Sequence, residues 1–308
     1  MSNKTSASGF FLLPFSDLRE FQILHFVAFL LLYLGIVSGN LLIIAAVVFD
    51  RHLHSPMYFF LMNLAIQDVG FVSVFVPKSM TNSLMNTRYI SYSGCVAQVF
   101  FFVILAASDF FLLTVMAYDR YVAICNPLRY EMIMNRGACI HIITTVWISA
   151  FVYSVLHTGG TFASPFCSNI INQFFCEIPQ LLKLTCSDLY LVEMAVLVLS
   201  TIICLGCFIF IAVTYVQIFS AVQKINSAES RRKALSTCLP HLIVVSTFLC
   251  TSAFAYLTSP SNKPSHLDIA ITLLYSLFPP MLNPVIYSLR NKEIKNAVRR
   301  LLGLNNNV

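Results

Sequence analysis

Hydrophobic residues are grouped in seven long blocks that are separated by short polar segments. Each block holds about the 20 mostly apolar residues that an α-helix needs to cross a bilayer. Open sheets would leave backbone groups unpaired in lipid, and the short alternating strands of a membrane barrel are absent. The pattern predicts an all-α membrane protein, a bundle of seven transmembrane helices at 22–49, 57–83, 92–125, 140–160, 192–222, 234–258 and 267–289.

A shorter helical pattern follows the seventh block. Its apolar residues recur at helical spacing with basic residues between them, at Ile294, Ala297, Val298 and Leu301. This pattern is typical of an amphipathic helix that lies on a membrane surface. We therefore divide the chain into an N-terminal segment (1–21), a seven-transmembrane domain (22–289) and an amphipathic helix with its tail (290–308).

Basic residues predict the orientation in the membrane, because cytoplasmic loops carry an excess of lysine and arginine. Seven spans place the two ends of the chain on opposite sides. With the N-terminus outside, 13 of the 19 basic residues are cytoplasmic, and the extracellular ones are Lys4, Arg19, Lys78, Arg88, Lys183 and Lys263. We therefore expect an extracellular N-terminus with a glycosylation sequon at Asn3, a cytoplasmic C-terminus and a location in the plasma membrane.

The composition excludes several classes of protein. Only 10% of the residues are charged, against about 25% in soluble domains. The net charge of +6 is explained by basic loops near anionic membrane lipids and does not require a nucleic-acid partner. The acids are too scattered for paired catalytic groups, and the cysteines and histidines lack the spacing of a zinc site. We expect no enzymatic activity.

Two acids within the predicted spans are candidates for a cation or proton site, since charges in a bilayer are costly and usually functional. Asp68 lies midway along the second span and Asp109 midway along the third. The pair could share a sodium ion, a proton or a water cluster. Alternatively, both acids are neutral and hydrogen-bonded to Asn40, Ser108 or Asn283. No other cofactor is indicated.

A third acid, Asp119, precedes Arg120 at the cytoplasmic end of the third span. The two side chains could lock each other in a resting state, and release of the arginine would expose a docking site. The alternative is a plain interfacial salt bridge. The seventh span contains Pro279, Pro280, Asn283, Pro284 and Tyr287, a combination that predicts a bent helix.

Four cysteines, Cys95, Cys167, Cys176 and Cys186, fall on the predicted outer side, where disulfides persist. Three pairings are open to four cysteines, and spacing does not choose among them. The loop between the fourth and fifth spans, residues 159–191, is unusually long. We expect it to be ordered by disulfides and to cover a pocket.

Several motifs together resemble the vertebrate odorant receptors of the rhodopsin-like G-protein-coupled class. The run 116–125 (MAYDRYVAIC) is similar to the family signature at the end of the third helix. The resemblance extends over nearly the whole chain through Gly39-Asn40, Trp147, Tyr215 and the runs 56–61 (PMYFFL), 233–238 (KALSTC) and 280–290 (PMLNPVIYSLR).

The resemblance implies a receptor that binds a small volatile molecule in the outer half of the bundle. It would activate the olfactory stimulatory G protein and raise cyclic AMP in sensory cilia. The family pattern pairs Cys95 with Cys176 and Cys167 with Cys186. It also places a glutamate where this chain has Asp109, which favours a sodium site. The implied switch residues are Asp119, Arg120, Tyr121, Tyr215, Asn283, Pro284 and Tyr287.

The family's ligand pocket maps onto residues of four helices. They are Phe102, Val103, Ala106, Ala107, Leu199, Ile203, Ser252, Tyr256, Leu273 and Ser276. Most of them are apolar, and none is an acid or a base. We therefore expect a neutral, weakly polar odorant, oriented by hydrogen bonds from Ser252, Tyr256 and Ser276.

The chain departs from the family pattern at two positions in the sixth span. Pro240 follows Leu239 where a small residue usually precedes His-Leu, and it should change the local kink. Leu249 stands where a tyrosine is common, so a buried hydroxyl is lost. Two alternatives remain: a non-olfactory chemosensory receptor of the same fold, or a channel or transporter, although no inverted repeat is found.

Overall fold

A computed structural model describes residues 9–14, 16, 18–186, 190–257 and 266–303. Within these ranges it describes every side chain except those of 190–193, 233, 251–257, 266–269 and 287–290. Asn3 lies outside the described residues, as do the side chains of Ser252, Tyr256 and Tyr287.

Seven long helices form the bundle, so the predicted fold class is confirmed. They are α1 (Arg19–Phe49), α2 (Pro56–Met85), α3 (Tyr92–Cys125), α5 (Arg136–Phe162), α7 (Tyr190–Gln223), α8 (Ala228–Leu257) and α9 (His266–Arg290). Three short helices complete the set: α4 (Tyr130–Ile133), α6 (Ile178–Leu182) and α10 (Lys292–Leu301). Within the described residues, six of the long helices are apolar enough to span a membrane, and α9 has a shorter apolar stretch at Ala270–Ile286.

The helix boundaries follow from local chemistry. The side chains of Ser91 and Asn135 accept hydrogen bonds from the first turns of α3 and α5, which satisfies otherwise unpaired N–H groups. Pro56 occupies the first turn of α2, where its missing N–H costs nothing. Asn86 ends that helix in the left-handed region, with φ of 50°, which asparagine tolerates better than most residues.

A small sheet that the sequence did not predict covers one end of the bundle. Strand β1 (Gly9–Leu12) lies between β2 (Tyr89–Ser91) and β3 (Ile170–Ile171), antiparallel to the first and parallel to the second. The disulfides Cys95–Cys176 and Cys167–Cys186 lie in the same region. We call this the disulfide end of the bundle.

The opposite end carries α4 and α10, and we call it the α10 end. Ile294 and Ala297 of α10 are almost fully buried in the main hydrophobic core. Asn291 caps this helix and donates a hydrogen bond to the hydroxyl of Tyr58 on α2, at 3.1 Å. Arg300 pairs with Asp50, which follows α1. The apolar face of the amphipathic pattern is therefore packed against the bundle through Ile294 and Ala297, and Leu301 remains 42% exposed.

The contact between α1 and α9 is close and partly polar. Asn40 is fully buried, and its amide donates hydrogen bonds to the carbonyl of Ile36 (3.0 Å) and to that of Pro280 (3.2 Å). Proline at this point of α9 frees carbonyl groups from the helical ladder, and Asn40 satisfies one of them. A Cβ atom built on Gly39 would lie 3.2 Å from Cβ of Pro284.

This close approach predicts that Gly39→Val destabilises the protein. The added methyl groups must displace α9, and overpacking of this kind costs about 1–3 kcal/mol. Gly35→Val is the matched control on the same helix, because nothing lies within 4 Å of its position. The melting temperature of the detergent-purified protein measures the difference. Equal melting temperatures for the two variants would contradict the α1–α9 packing described above.

Candidate functional site

The loop between α5 and α7 enters the bundle at the disulfide end. Helix α5 continues to Phe162, so the loop begins a few residues later than the expected position 159. Cys176 is bonded to Cys95 on α3, and its backbone N–H donates to Oε1 of Gln98 at 2.8 Å. Both disulfides are the pairs that the family pattern implies. They hold the segment Gln173–Glu177 between the helices.

Two phenylalanines of this segment form an aromatic cluster with three helical ones. The cluster consists of Phe71, Phe75, Phe102, Phe174 and Phe175. Ring centroids are 4.8 Å apart for Phe71–Phe102, 5.1 Å for Phe75–Phe175 and 5.4 Å for Phe102–Phe175. The ring of Phe102, an expected pocket residue, therefore touches the loop directly. The two loop phenylalanines are not among the predicted pocket residues, because a loop has no periodic pattern that would reveal them.

The structure brings some of the expected pocket residues together and separates others. Ala106 and Leu273 pack against the same hydrophobic core as the aromatic cluster, and Val103 and Ala107 are each 9% exposed. Ser276 is fully buried and donates its hydroxyl to the carbonyl of Thr272 at 2.6 Å. In contrast, Leu199 on α7 is 48% exposed, and Ile203 is half-buried.

Polar groups attach the loop to α9. The amide of Gln173 donates to the hydroxyl of Thr272 at 2.7 Å, and the hydroxyl of Tyr275 donates to the carboxylate of Glu177. Burial raises the pKa of Glu177, while hydrogen bonds from Tyr275, Gln173 and Gln180 act in the opposite direction. Glu177 is thus a half-buried acid next to the expected pocket, whose mapped residues include no acid.

A second polar contact joins α5 to α7. Nε2 of His157 lies 2.7 Å from the hydroxyl of Ser200, and both side chains are buried. Since this hydroxyl donates to the carbonyl of Val196, His157 is the donor to Ser200. The sequence carried a signal for this contact that we did not use: four polar residues recur on one face of α5, at Ser154, His157, Thr158 and Thr161.

The two acids of the candidate cation site are buried at 1% and 8% exposure. The amide of Asn283 donates to Oδ2 of Asp68 at 2.9 Å, and Asp68 and Asp109 are close enough to interact through their charges. Ser108 and Asn40 donate to backbone carbonyls instead of to the acids. Oδ1 atoms of Asp109, Asn283 and Asn40 have no hydrogen-bond partner among the described residues.

The expected lock between Asp119 and Arg120 is not formed as a close ion pair, although the charge of Arg120 acts on Asp119. Oδ1 of Asp119 accepts a hydrogen bond from Tyr130 of α4 at 2.8 Å, and the two neighbours form no ion pair in the described part of the chain. Adjacent residues on a helix point about 100° apart and do not face each other. Burial raises the pKa of Tyr130, and the nearby charge of Asp119 adds to this effect. Tyr130 therefore remains a donor.

A histidine connects three helices near the α10 end. The hydroxyl of Tyr215 on α7 lies 2.8 Å from Nδ1 of His241 on α8, and Nε2 of His241 lies 2.9 Å from the carbonyl of Leu113 on α3. A carbonyl only accepts, so Nε2 carries the proton and Nδ1 accepts from Tyr215. Pro240 precedes this histidine within the continuous helix α8, and Leu249 packs against the main core.

The remaining expected switch residues lie nearby. Tyr121 is half-buried with its ring 6.3 Å from that of Tyr118, and Pro284 is buried against Gly39.

Among the described residues, no group of three or more histidine, cysteine, aspartate or glutamate side chains could hold a metal ion. A sodium site at Asp68 and Asp109 would therefore also require amide, hydroxyl or water oxygens.

Comparison with known proteins gives a consistent result. A family model described as "Olfactory receptor" matches residues 29–304. The chain is 50% identical to human olfactory receptor 14I1 over 302 residues, covering 98% of this chain and 97% of that one. It is 49% identical to human olfactory receptor 14J1, with 98% and 94% covered. The fold is similar to squid rhodopsin, with a TM-score of 0.75, 16% identity and coverage of 94% and 87%.

The contact between Asp119 and α4 predicts that Tyr130→Phe destabilises the α10 end. Removal of the hydroxyl leaves a buried carboxylate without its donor, which costs about 1–3 kcal/mol. Tyr118→Phe is the matched control, because it makes the same change on a side chain that is 36% exposed. Thermal unfolding of the purified protein should separate the two variants. An unchanged melting temperature in Tyr130→Phe would refute the role assigned to this hydrogen bond.

Proposed function

Because this chain belongs to the olfactory receptor family, we propose that it raises cyclic AMP through a stimulatory, olfactory-type G protein when its odorant binds. Odorant sensing and G-protein coupling are properties of this family of multi-pass membrane receptors. The observation that carries the proposal is the arrangement of the two ends. A disulfide-bonded loop packs on the expected ligand pocket, and the opposite end carries a set of hydrogen bonds that can open.

We place the ligand at the disulfide end, against Phe102, Ala106 and Leu273 beneath the loop. The lining is mostly apolar, so burial supplies about 25 cal/mol for each Å² of apolar ligand surface. The mapped set contains no charged residue, which favours a small, volatile and neutral organic molecule. The hydroxyl of Ser276 already donates to the carbonyl of Thr272. The polar contacts with the ligand would therefore come from Ser252, Tyr256 or the His157–Ser200 pair.

The proposed orientation places the disulfide end outside the cell and the α10 end in the cytoplasm. Disulfides persist in oxidising compartments, and Asn3 would then carry a glycan. Lys292, Lys295 and Arg299 of α10 are exposed and would face anionic lipids of the inner leaflet. We further propose the plasma membrane of olfactory cilia as the site of action.

The switch would be built from contacts that hold α3, α7 and α8 together. Tyr215 and His241 connect these helices through Leu113, and Asp119 binds Tyr130. Separation of α8 from α3 must break the His241 contact, and Arg120 would then be exposed to the G protein. Tyr121, Asn283, Pro284 and Tyr287 would transmit the change, since prolines let α9 bend.

An exposed apolar residue favours G-protein docking at this end. Leu128 follows α3 and is 101% exposed, and Met132 on α4 is 68% exposed. Both side chains lie at the α10 end, where a cytoplasmic partner would dock. The proposed docking surface therefore consists of Leu128, Met132 and Arg120.

This function predicts that Arg120→Ala abolishes signalling. In cells that express the receptor with the olfactory G protein, a broad panel of odorants should raise cyclic AMP, and neutral odorants should dominate the active set. Arg120→Ala should remove the response because the G protein loses its charged contact. Arg51→Ala, after α1, is the control for general loss of positive charge, because Arg51 is exposed and is not part of the proposed docking surface. A full response of Arg120→Ala at equal surface expression, or a response to amines alone, would contradict the proposal.

We also propose that Asp68 and Asp109 bind a sodium ion, with Oδ1 of Asn283, whose amide binds Asp68, as a further oxygen ligand. A site of this kind predicts that sodium stabilises the resting receptor relative to an equal concentration of N-methyl-glucamine. Asp68→Asn and Asp109→Asn should each remove that difference in melting temperature, because a ligand charge is lost. Asp50→Asn, at a half-buried acid that pairs with Arg300 outside the spans, should retain it. A sodium effect that persists in both variants would exclude this site.

A further inference from the structure

The segment Gln173–Glu177 is attached to α9 at two points. Thr272 accepts from Gln173 at 2.7 Å, and Tyr275 donates to Glu177. Residues 272 and 275 are three apart, so they lie on the same face of the helix, one above the other. The loop segment therefore runs along α9 and is bonded at both of its ends, with Phe174 and Phe175 between them.

The same segment is fixed to α3 on its other side. Cys176 is bonded to Cys95, and its N–H group donates to Gln98. Gln98 in turn donates to the carbonyl of Val74 on α2, at 3.2 Å. The disulfide by itself is sufficient to keep the loop attached to the bundle. The bonds to Thr272 and Tyr275 add a different constraint, because they fix the distance between α9 and α3 through the loop.

The half-buried acid makes this attachment selective for one geometry. Glu177 has hydrogen bonds from Tyr275, Gln173 and Gln180, and the charge of Lys183 acts on it. Bonds to an ionised acceptor are stronger and shorter than neutral ones. A carboxylate that is shielded from water and loses a donor is destabilised. Movement of the loop away from α9 therefore requires water or another donor to replace Tyr275.

We propose that Glu177 and Tyr275, supported by Gln173 and Thr272, form a clasp that positions the loop over the ligand site and sets ligand affinity. The proposal rests on the proposed function, because it concerns the site between the loop and Phe102. The two phenylalanines held by the clasp are part of the aromatic cluster, and Leu273 lies between the two clasp residues of α9. A ligand beneath the loop is thus retained by residues whose position the clasp fixes.

Tyr275→Phe tests the clasp with the loss of one hydroxyl. The ligand probe is whichever panel odorant gives the strongest wild-type response. We expect Tyr275→Phe and Thr272→Val each to raise its EC50 about three- to tenfold, the range for one hydrogen bond, with an unchanged maximal response. Tyr33→Phe is the matched control, since it removes a hydroxyl that bonds Ser73 on α2 instead of the loop.

Substitutions at the acid separate positioning from general stability. Glu177→Gln keeps an acceptor oxygen for Tyr275 and should have a smaller effect on EC50 than Glu177→Leu, which has none. The double variant Glu177→Leu/Tyr275→Phe should be no worse than Glu177→Leu alone, because the two residues act through one bond. Additive increases in EC50 at equal surface expression would overturn the pairing.

Hydrogen–deuterium exchange of the purified receptor tests, without any ligand, whether the clasp holds the loop in place. Exchange in residues 173–182 should increase in Tyr275→Phe and remain at the wild-type level in Tyr33→Phe, because local opening becomes easier. Unchanged exchange in Tyr275→Phe overturns the proposal. Increased exchange with an unchanged EC50 shows that the loop is held but does not set affinity, which also overturns it. A wild-type receptor that is silent to all odorants, with increased exchange in the variant, contradicts the proposed function and supports the clasp.

Discussion

The hydrocarbon core of a membrane offers no hydrogen-bonding partner, and this constraint governs the interior of the protein. A polar side chain there must bond to another side chain, to a backbone group or to a bound molecule. Asn283 with Asp68, His157 with Ser200 and Tyr215 with His241 are such pairs. Asp68 and Asn283 join α2 to α9, which are far apart in the sequence, whereas the other two pairs join successive long helices, α5 with α7 and α7 with α8. The polar residues that look costly in the sequence are therefore the ones that connect helices inside the bundle.

The same constraint explains where the receptor can change state. Apolar packing between helices tolerates small shifts, but a buried hydrogen bond is either formed or broken. His241 bonds to α3 and α7 at once, so movement of α8 must break two contacts together. At the other end, Glu177 and Gln173 bind the loop to α9 in a similar all-or-none way. The chain thus has two discrete sets of hydrogen bonds. One joins the loop to α9, and the other joins α8 to α3 and α7 next to Arg120.

Much of the fold could be predicted because each membrane span is a long, continuous block of apolar residues in the sequence. Seven apolar blocks of membrane length leave few alternatives to a helical bundle, and the blocks 57–83 and 92–125 end within two residues of the ends of α2 and α3. The small sheet was missed, since β1 pairs with strands that lie about 80 and 160 positions away. The aspartate–arginine lock was predicted from adjacency in the sequence, whereas the helix turns these two side chains in different directions and brings Tyr130 to Asp119.

The sequence by itself determined the membrane bundle, its number of helices and its family, because each depends on local hydropathy or on short motifs. Only the tertiary structure decided the partners of the buried polar groups. It selected Asn283 from three candidate partners of Asp68, left Leu199 exposed, and placed Phe174, Phe175 and Glu177 of the loop against the ligand site. The physical reason is that the partner of a buried polar or aromatic side chain depends on which groups lie next to it in space. Loops and neighbouring helices supply those surroundings from positions that no local pattern connects.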